Sequence, residues 1–252
     1  MHLPSLGLLL PLQLLSSATS SVGVCSMPPF ASLPKSTVTR MCPPESGPTS
    51  CADGSPFSFL VRRGSHQNER KVLVDFMGGG ACWDGESCLS SASTTFQSVP
   101  QYASAVTGIS TELARQMLAL NGMSIAALGD TVPGLKTWTY IFVPYCTQDI
   151  HIGTCNATYT HPQTGETRTL RHNGAANVKA VMKYLYSSFP LDSPPETLAF
   201  IGCSAGAAAV IVTEAARAAQ IYPSNVTRVV AIGDSPSNTL TETFVQKVPR
   251  SY

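Results

Sequence analysis

The chain has 252 residues, a length that suggests one large domain or two small ones. Sixteen Lys and Arg against fifteen Asp and Glu leave a net charge of +1, so no global field draws in nucleic acid or an acidic surface. Charged residues make up 12% and apolar residues 43%, which excludes a solvated disordered chain, and no uninterrupted apolar run reaches the roughly 18 residues of a membrane span.

Residues 1–20 run apolar from Leu3 to Leu15 and then turn small and polar at Ser16-Ser17-Ala18, the pattern of a secretory signal peptide. The alternative is a buried helix, which Pro4 and Pro11 disfavour. Two sequons, at Asn156 and Asn225, are glycosylation candidates in a secreted chain. Residues 21–56 are rich in Pro, Ser and Thr and read as an extended, disulfide-pinned arm. Phe57–Arg62 and Lys71–Phe76 are short apolar strands separated by the polar stretch Arg63–Arg70, which suggests a hairpin. Ser110–Leu120 has helical spacing, Thr139–Val143 is a strand, and Asn173–Ser187 carries a helical stripe of Val178, Val181, Met182 and Leu185. A strand at Thr197–Ile201, an alanine-rich helix at Ala205–Gln220 and a strand at Arg228–Ile232 complete the pattern. Strand–helix alternation after an opening hairpin predicts an α/β fold with a largely parallel sheet and helices on both faces, residues 57–252 forming one domain.

Eight cysteines remain after cleavage near Ala18, and an even number in an oxidising compartment suggests pairing. Local spacing favours Cys82–Cys88, then Cys146–Cys155 and Cys42–Cys51. There is no CxxC and no His/Cys cluster with zinc spacing, so no metal is expected.

The chemistry concentrates at Gly202-Cys203-Ser204-Ala205-Gly206, between a strand and a helix. That is the context of a nucleophile elbow, a sharp turn exposing a serine oxygen, with small neighbours because the backbone packs tightly there. An unreactive tight-packing turn is the competing reading. Met77-Gly78-Gly79-Gly80-Ala81 follows another strand, as do the glycine loops that donate backbone N–H groups to an oxyanion, although a plain flexible turn has the same composition. Gly79, Gly80 and Ala205 are the candidate donors, with the Cys82–Cys88 bond stiffening the loop. Trp83 and Trp138 suit stacking on a sugar or simple packing, and Asp84 and Glu86 make no convincing glycosidase pair.

The strings CADGSPFSFLVRRG, VDFMGGGACWDGESC, IFVPYCTQDIHIG, RHNGAANVKAVMKYL, GCSAG and VVAIGDS occur in one order over most of residues 51–236. Together they resemble the pectin acetylesterase/Notum carboxylesterase family, nearer its pectin-acetylesterase-like members. The resemblance implies an α/β-hydrolase fold, secretion, no cofactor and a Ser/Asp/His triad with Ser204 as nucleophile and Gly79, Gly80 and Ala205 lining the oxyanion hole. It also implies an acetylated polysaccharide such as pectin as substrate, with a lipid-modified protein as the alternative. The family's triad acid and base lie beyond the last strand recognised here, so the chain is expected to be a C-terminally truncated member with little turnover, or a non-catalytic domain binding glycans or partners. All five histidines, His2, His66, His151, His161 and His172, precede Ser204. His151 and His172 are expected to bond backbone or shape the pocket rather than act as base, His66 and His161 to be loop residues, and Asp149 and Asp234 to be structural.

Overall fold

The runs KVLVDF and TLAFIGC have few polar side chains on either face, as befits strands covered on both sides. The computed structural model describes residues 25–89, 134–210 and 215–234. Six strands form one mixed sheet in the order β1-β2-β4-β3-β7-β8. They are β1 (Val38–Met41), β2 (Phe59–Arg62), β3 (Lys71–Phe76), β4 (Thr139–Val143), β7 (Thr197–Cys203) and β8 (Arg228–Asp234). β4, β3, β7 and β8 run parallel, while β2 is antiparallel to both β1 and β4. The architecture is α/β with a largely parallel sheet. A separate antiparallel hairpin joins β5 (Cys155–Thr160) to β6 (Thr167–His172).

The expected hairpin between the strands at 57–62 and 71–76 does not form, because β4 lies between them. Thr139, the first residue of β4, is wedged in the connecting stretch: its Oγ1 accepts from Gly64 N at 3.1 Å and donates to Glu69 O at 2.7 Å. The eight polar residues thus frame an opening for a third strand instead of closing a turn. The segment read as an extended arm contributes β1 to the edge of the sheet.

Four described helices accompany these strands: α1 (Gly85–Leu89), α2 (Gly174–Ser188), α3 (Ala205–Ala209) and α4 (Ala215–Ile221). The predicted stripe of α2 is buried against Val72, Val74, Phe76, Ile141 and Phe200 of the sheet. Ala209 and Ala218, from α3 and α4, join the same cluster, so α2, α3 and α4 cover one face. The other face carries Leu73, Ala199 and Ile201, with Trp138 packed against them. The helix expected at 110–120 and the signal peptide expected at 1–20 lie outside the described residues.

Three disulfides form, Cys25–Cys42, Cys51–Cys146 and Cys82–Cys88, while Cys155 and Cys203 are free. Pairing of Cys42 with Cys51 and of Cys146 with Cys155 is therefore incorrect. Tertiary structure decides both: Ala52 N donates to Cys146 O at 2.8 Å, laying the arm along the end of β4 and bringing Cys51 to Cys146 across 95 positions. Cys155 opens β5 opposite His172 and is held by that register instead.

Candidate active site

Parallel strands in an open α/β sheet present their carboxyl ends along one rim, where ligands bind. β3 and β7 are neighbours in the middle of the sheet, so the segments that follow them leave side by side. One is the Met77–Ala81 glycine loop and the other is the turn at Ser204.

Ser204 has φ 54° and ψ −117°, a backbone conformation rare for a residue with a side chain. Such strain persists only where the surroundings fix it, and here three contacts do so. A Cβ on Gly202 would lie 2.4 Å from the backbone of Gly206, and one on Gly206 would lie 2.0 Å from Phe76 O. The Ser204 N–H donates to Asp234 O at 2.9 Å, tying the turn to the end of β8. Small residues two places either side of the serine are thus a steric requirement of this turn. The serine itself is partly exposed.

The glycine loop packs onto the same turn. A Cβ on Gly78 would sit 2.4 Å from Cys203 O and 3.5 Å from Ser204 Cβ. Gly79 (φ 143°) and Gly80 (φ 76°) adopt backbone conformations that side chains rarely tolerate. Ala205 is the first residue of α3, so its N–H has no partner within the helix. The structure therefore brings Ser204, the glycine loop and the start of α3 together. At the far end of the loop, the Cys82–Cys88 bond and a Cys82 N–H to Gln148 O hydrogen bond of 3.0 Å hold it.

Cys203, next to the serine, is a free thiol. Burial, then the neighbouring Asp234 and Asp75 carboxylates, push its pKa up, so it stays protonated and is no competing nucleophile. The Asp75 carboxylate beneath the rim accepts from Tyr140 Oη at 2.8 Å.

The histidines are occupied elsewhere. His151 is buried with Nε2 2.8 Å from Met77 O. His172 is buried between Tyr159 Oη and Thr147 O, both at 2.8 Å. Burial raises the Tyr159 phenol to about 12, so it remains a donor at neutral pH. His161 Nδ1 accepts from Gln163 N and Thr164 N in the turn of the β5–β6 hairpin, and His66 lies in an exposed turn. Asp149 accepts from Thr147 Oγ1, His151 N and, at 2.7 Å, the Gly174 N–H that opens α2. A carboxylate there is stabilised by the partial positive charge of a helix N-terminus. Asp84 receives Ser87 N and Ser87 Oγ, each at 2.8 Å, at the start of α1, while Glu86 is exposed. Trp83 is partly buried, and Trp138 packs on the sheet.

Sequence reasoning missed Tyr145, whose ring lies against Gly79 and whose Oη accepts from Ile150 N at 2.7 Å. Its place depends on the loop after β4, where Gln148, Ile150 and His151 all have positive φ. No local pattern announces such a loop. Among the described residues no group of three or more His, Cys, Asp or Glu is arranged to hold a metal ion, and no helix is long and apolar enough to cross a membrane.

A family model for pectinacetylesterases matches residues 37–236, a span that takes in the glycine loop, the serine turn and all six strands of the sheet. No curated protein matches the chain. With most of its length matched and the serine turn and glycine loop side by side on a largely parallel sheet, the chain belongs to the pectinacetylesterase family of α/β-hydrolases.

Proposed function

We propose that the chain is a secreted serine carboxylesterase that removes acetyl groups from a polysaccharide such as pectin. The observation that carries this reading is the positive-φ turn at Ser204, packed against a glycine loop that leaves the adjacent strand. Ser204 Oγ attacks the acetyl carbonyl carbon, and the resulting oxyanion accepts hydrogen bonds from the N–H groups of Gly79, Gly80 and Ala205. Collapse of that intermediate releases the sugar hydroxyl and leaves an acetyl-serine, which water hydrolyses to acetate. The thiol of Cys203, being protonated, leaves the attack to the serine. Three disulfides support an oxidising, extracellular setting. Asn156 and Asn225 are exposed and open to glycosylation there.

An elbow serine needs a base, and no histidine follows Ser204 in the sequence. For the 252-residue chain alone the expected serine-dependent rate is therefore small, and it is sought on an activated ester, whose good leaving group asks least of the nucleophile. The test is hydrolysis of p-nitrophenyl acetate and acetylated pectin by the chain and by Ser204→Ala. Loss of that rate in the alanine variant, with circular dichroism unchanged, is expected. An equal rate in both would remove the serine from the chemistry. Faster hydrolysis of an octanoyl than an acetyl ester would instead favour a lipid-protein deacylase.

The engagement of His151 and His172 with other partners favours a second reading, a non-catalytic domain that binds glycans. Retention on immobilised pectin without any Ser204-dependent hydrolysis would select it.

A further inference from the structure

We propose that His151 is the positioning residue of the glycine loop, holding it through a hydrogen bond from Nε2–H to the carbonyl of Met77. A carbonyl only accepts, so Nε2 must carry the proton in this bond of 2.8 Å. Met77 is the residue immediately before the three glycines. Fixing its carbonyl fixes the plane of the Met77–Gly78 peptide, Gly78 N–H included, and so the point and direction from which the rest of the loop departs. Glycines have no side chains with which to hold themselves, so a loop of three in succession needs an external hold.

His151 is built to supply it. Its ring packs 4.6 Å from the Tyr145 ring and meets Phe76 edge-on at 5.5 Å. Tyr145 in turn presses on Gly79. The backbone of His151 is anchored by donation to Asp149 Oδ1 at 3.1 Å, and the same carboxylate grips the first N–H of α2. A rigid helix thus reaches the glycine loop through Asp149, His151 and Met77. The left-handed backbone at Ile150 and His151 turns the ring toward the loop, a strained conformation held by its surroundings.

This inference rests on the esterase reading for its catalytic meaning, but the geometry can be tested without turnover. In the intact chain, long-range ¹⁵N–¹H spectra of the His151 ring at pH 7 should show a proton on Nε2 and a bare Nδ1. An Nε2 without a proton would overturn the proposal. Hydrogen exchange at Gly78–Ala81 should be at least about tenfold faster in His151→Leu, and His151→Gln, which keeps an N–H donor, should restore it. Equal exchange in wild type and His151→Leu, or no rescue by Gln in a folded protein, would also overturn it. If p-nitrophenyl acetate is turned over, His151→Leu should lower kcat by about 10²-fold, the cost of a displaced catalytic group, with KM within about twofold. If wild type shows no Ser204-dependent hydrolysis, the esterase reading falls, and the ring spectra and exchange still decide the role of His151.

Discussion

At Gly206 the demand for glycine is steric, since any Cβ would lie 2.0 Å from Phe76 O, far inside van der Waals contact. Gly206→Ala is expected to cost about 3 kcal/mol or more, at the upper end of overpacking penalties. For a domain of this size that lowers Tm by at least about 6 °C, readable in a thermal melt. Gly202 faces the same constraint from the opposite side of the serine, which explains why this part of the site was legible in the sequence. A short-range steric rule writes itself into neighbouring positions. The roles of His151 and Asp149 are different in kind. Each depends on a partner tens of residues away, Met77 for the one and Gly174 for the other, so nothing near either residue in the sequence announces it.

Elements were legible to the extent that they bury continuous apolar runs. β3, β4, β7 and α2 were recognisable because their side chains had to meet a core, and β8 by its apolar run, although only Val229 and Val230 of it are partly buried against that core. The β5–β6 hairpin was not, since its strands are mostly exposed and rely on cross-strand hydroxyl bonds such as Thr158–Thr169 at 2.8 Å and Thr160–Thr167 at 2.9 Å. Lateral order was hidden too, because the insertion of β4 between β2 and β3 is decided by distant residues. The disulfides follow suit. Cys82–Cys88 closes a separation of 6 and Cys51–Cys146 one of 95. Loop-closure entropy alone separates two such bonds by about 2 kcal/mol. Replacing Cys51 and Cys146 by serine should therefore lower the urea-denaturation free energy more than the same change at Cys82 and Cys88, by a total of about 2–5 kcal/mol. A larger loss at the short loop would contradict this ranking.

Over the whole molecule, the buried histidine makes stability a function of pH. Desolvation lowers the pKa of His151 below its ordinary value, outweighing the opposing influence of the Met77 carbonyl and the Asp149 carboxylate. The Phe76 and Tyr145 rings that enclose it carry no charge at neutral pH. The unfolded chain binds a proton at about pH 6.5 that the folded chain does not, so stability is full above that pH and falls as the solution is acidified. The loss approaches about 1.4 kcal/mol per pH unit until the lowered folded-state value is reached. Urea denaturation at pH 7 and pH 5 measures it, and His151→Gln should show a shallower decline than wild type.

The bond from Ser204 N–H to Asp234 O also has a temporal meaning. A chain is made from its N-terminus, and the strand that supplies this acceptor emerges after the serine turn and after every other described strand of the sheet. While residues 197–206 have left the ribosome and 228–234 have not, the serine turn lacks one of the three contacts that keep it strained. Its reactive shape is thus set only when β8 docks, so a nascent chain stalled before that strand carries the motif but not the full geometry.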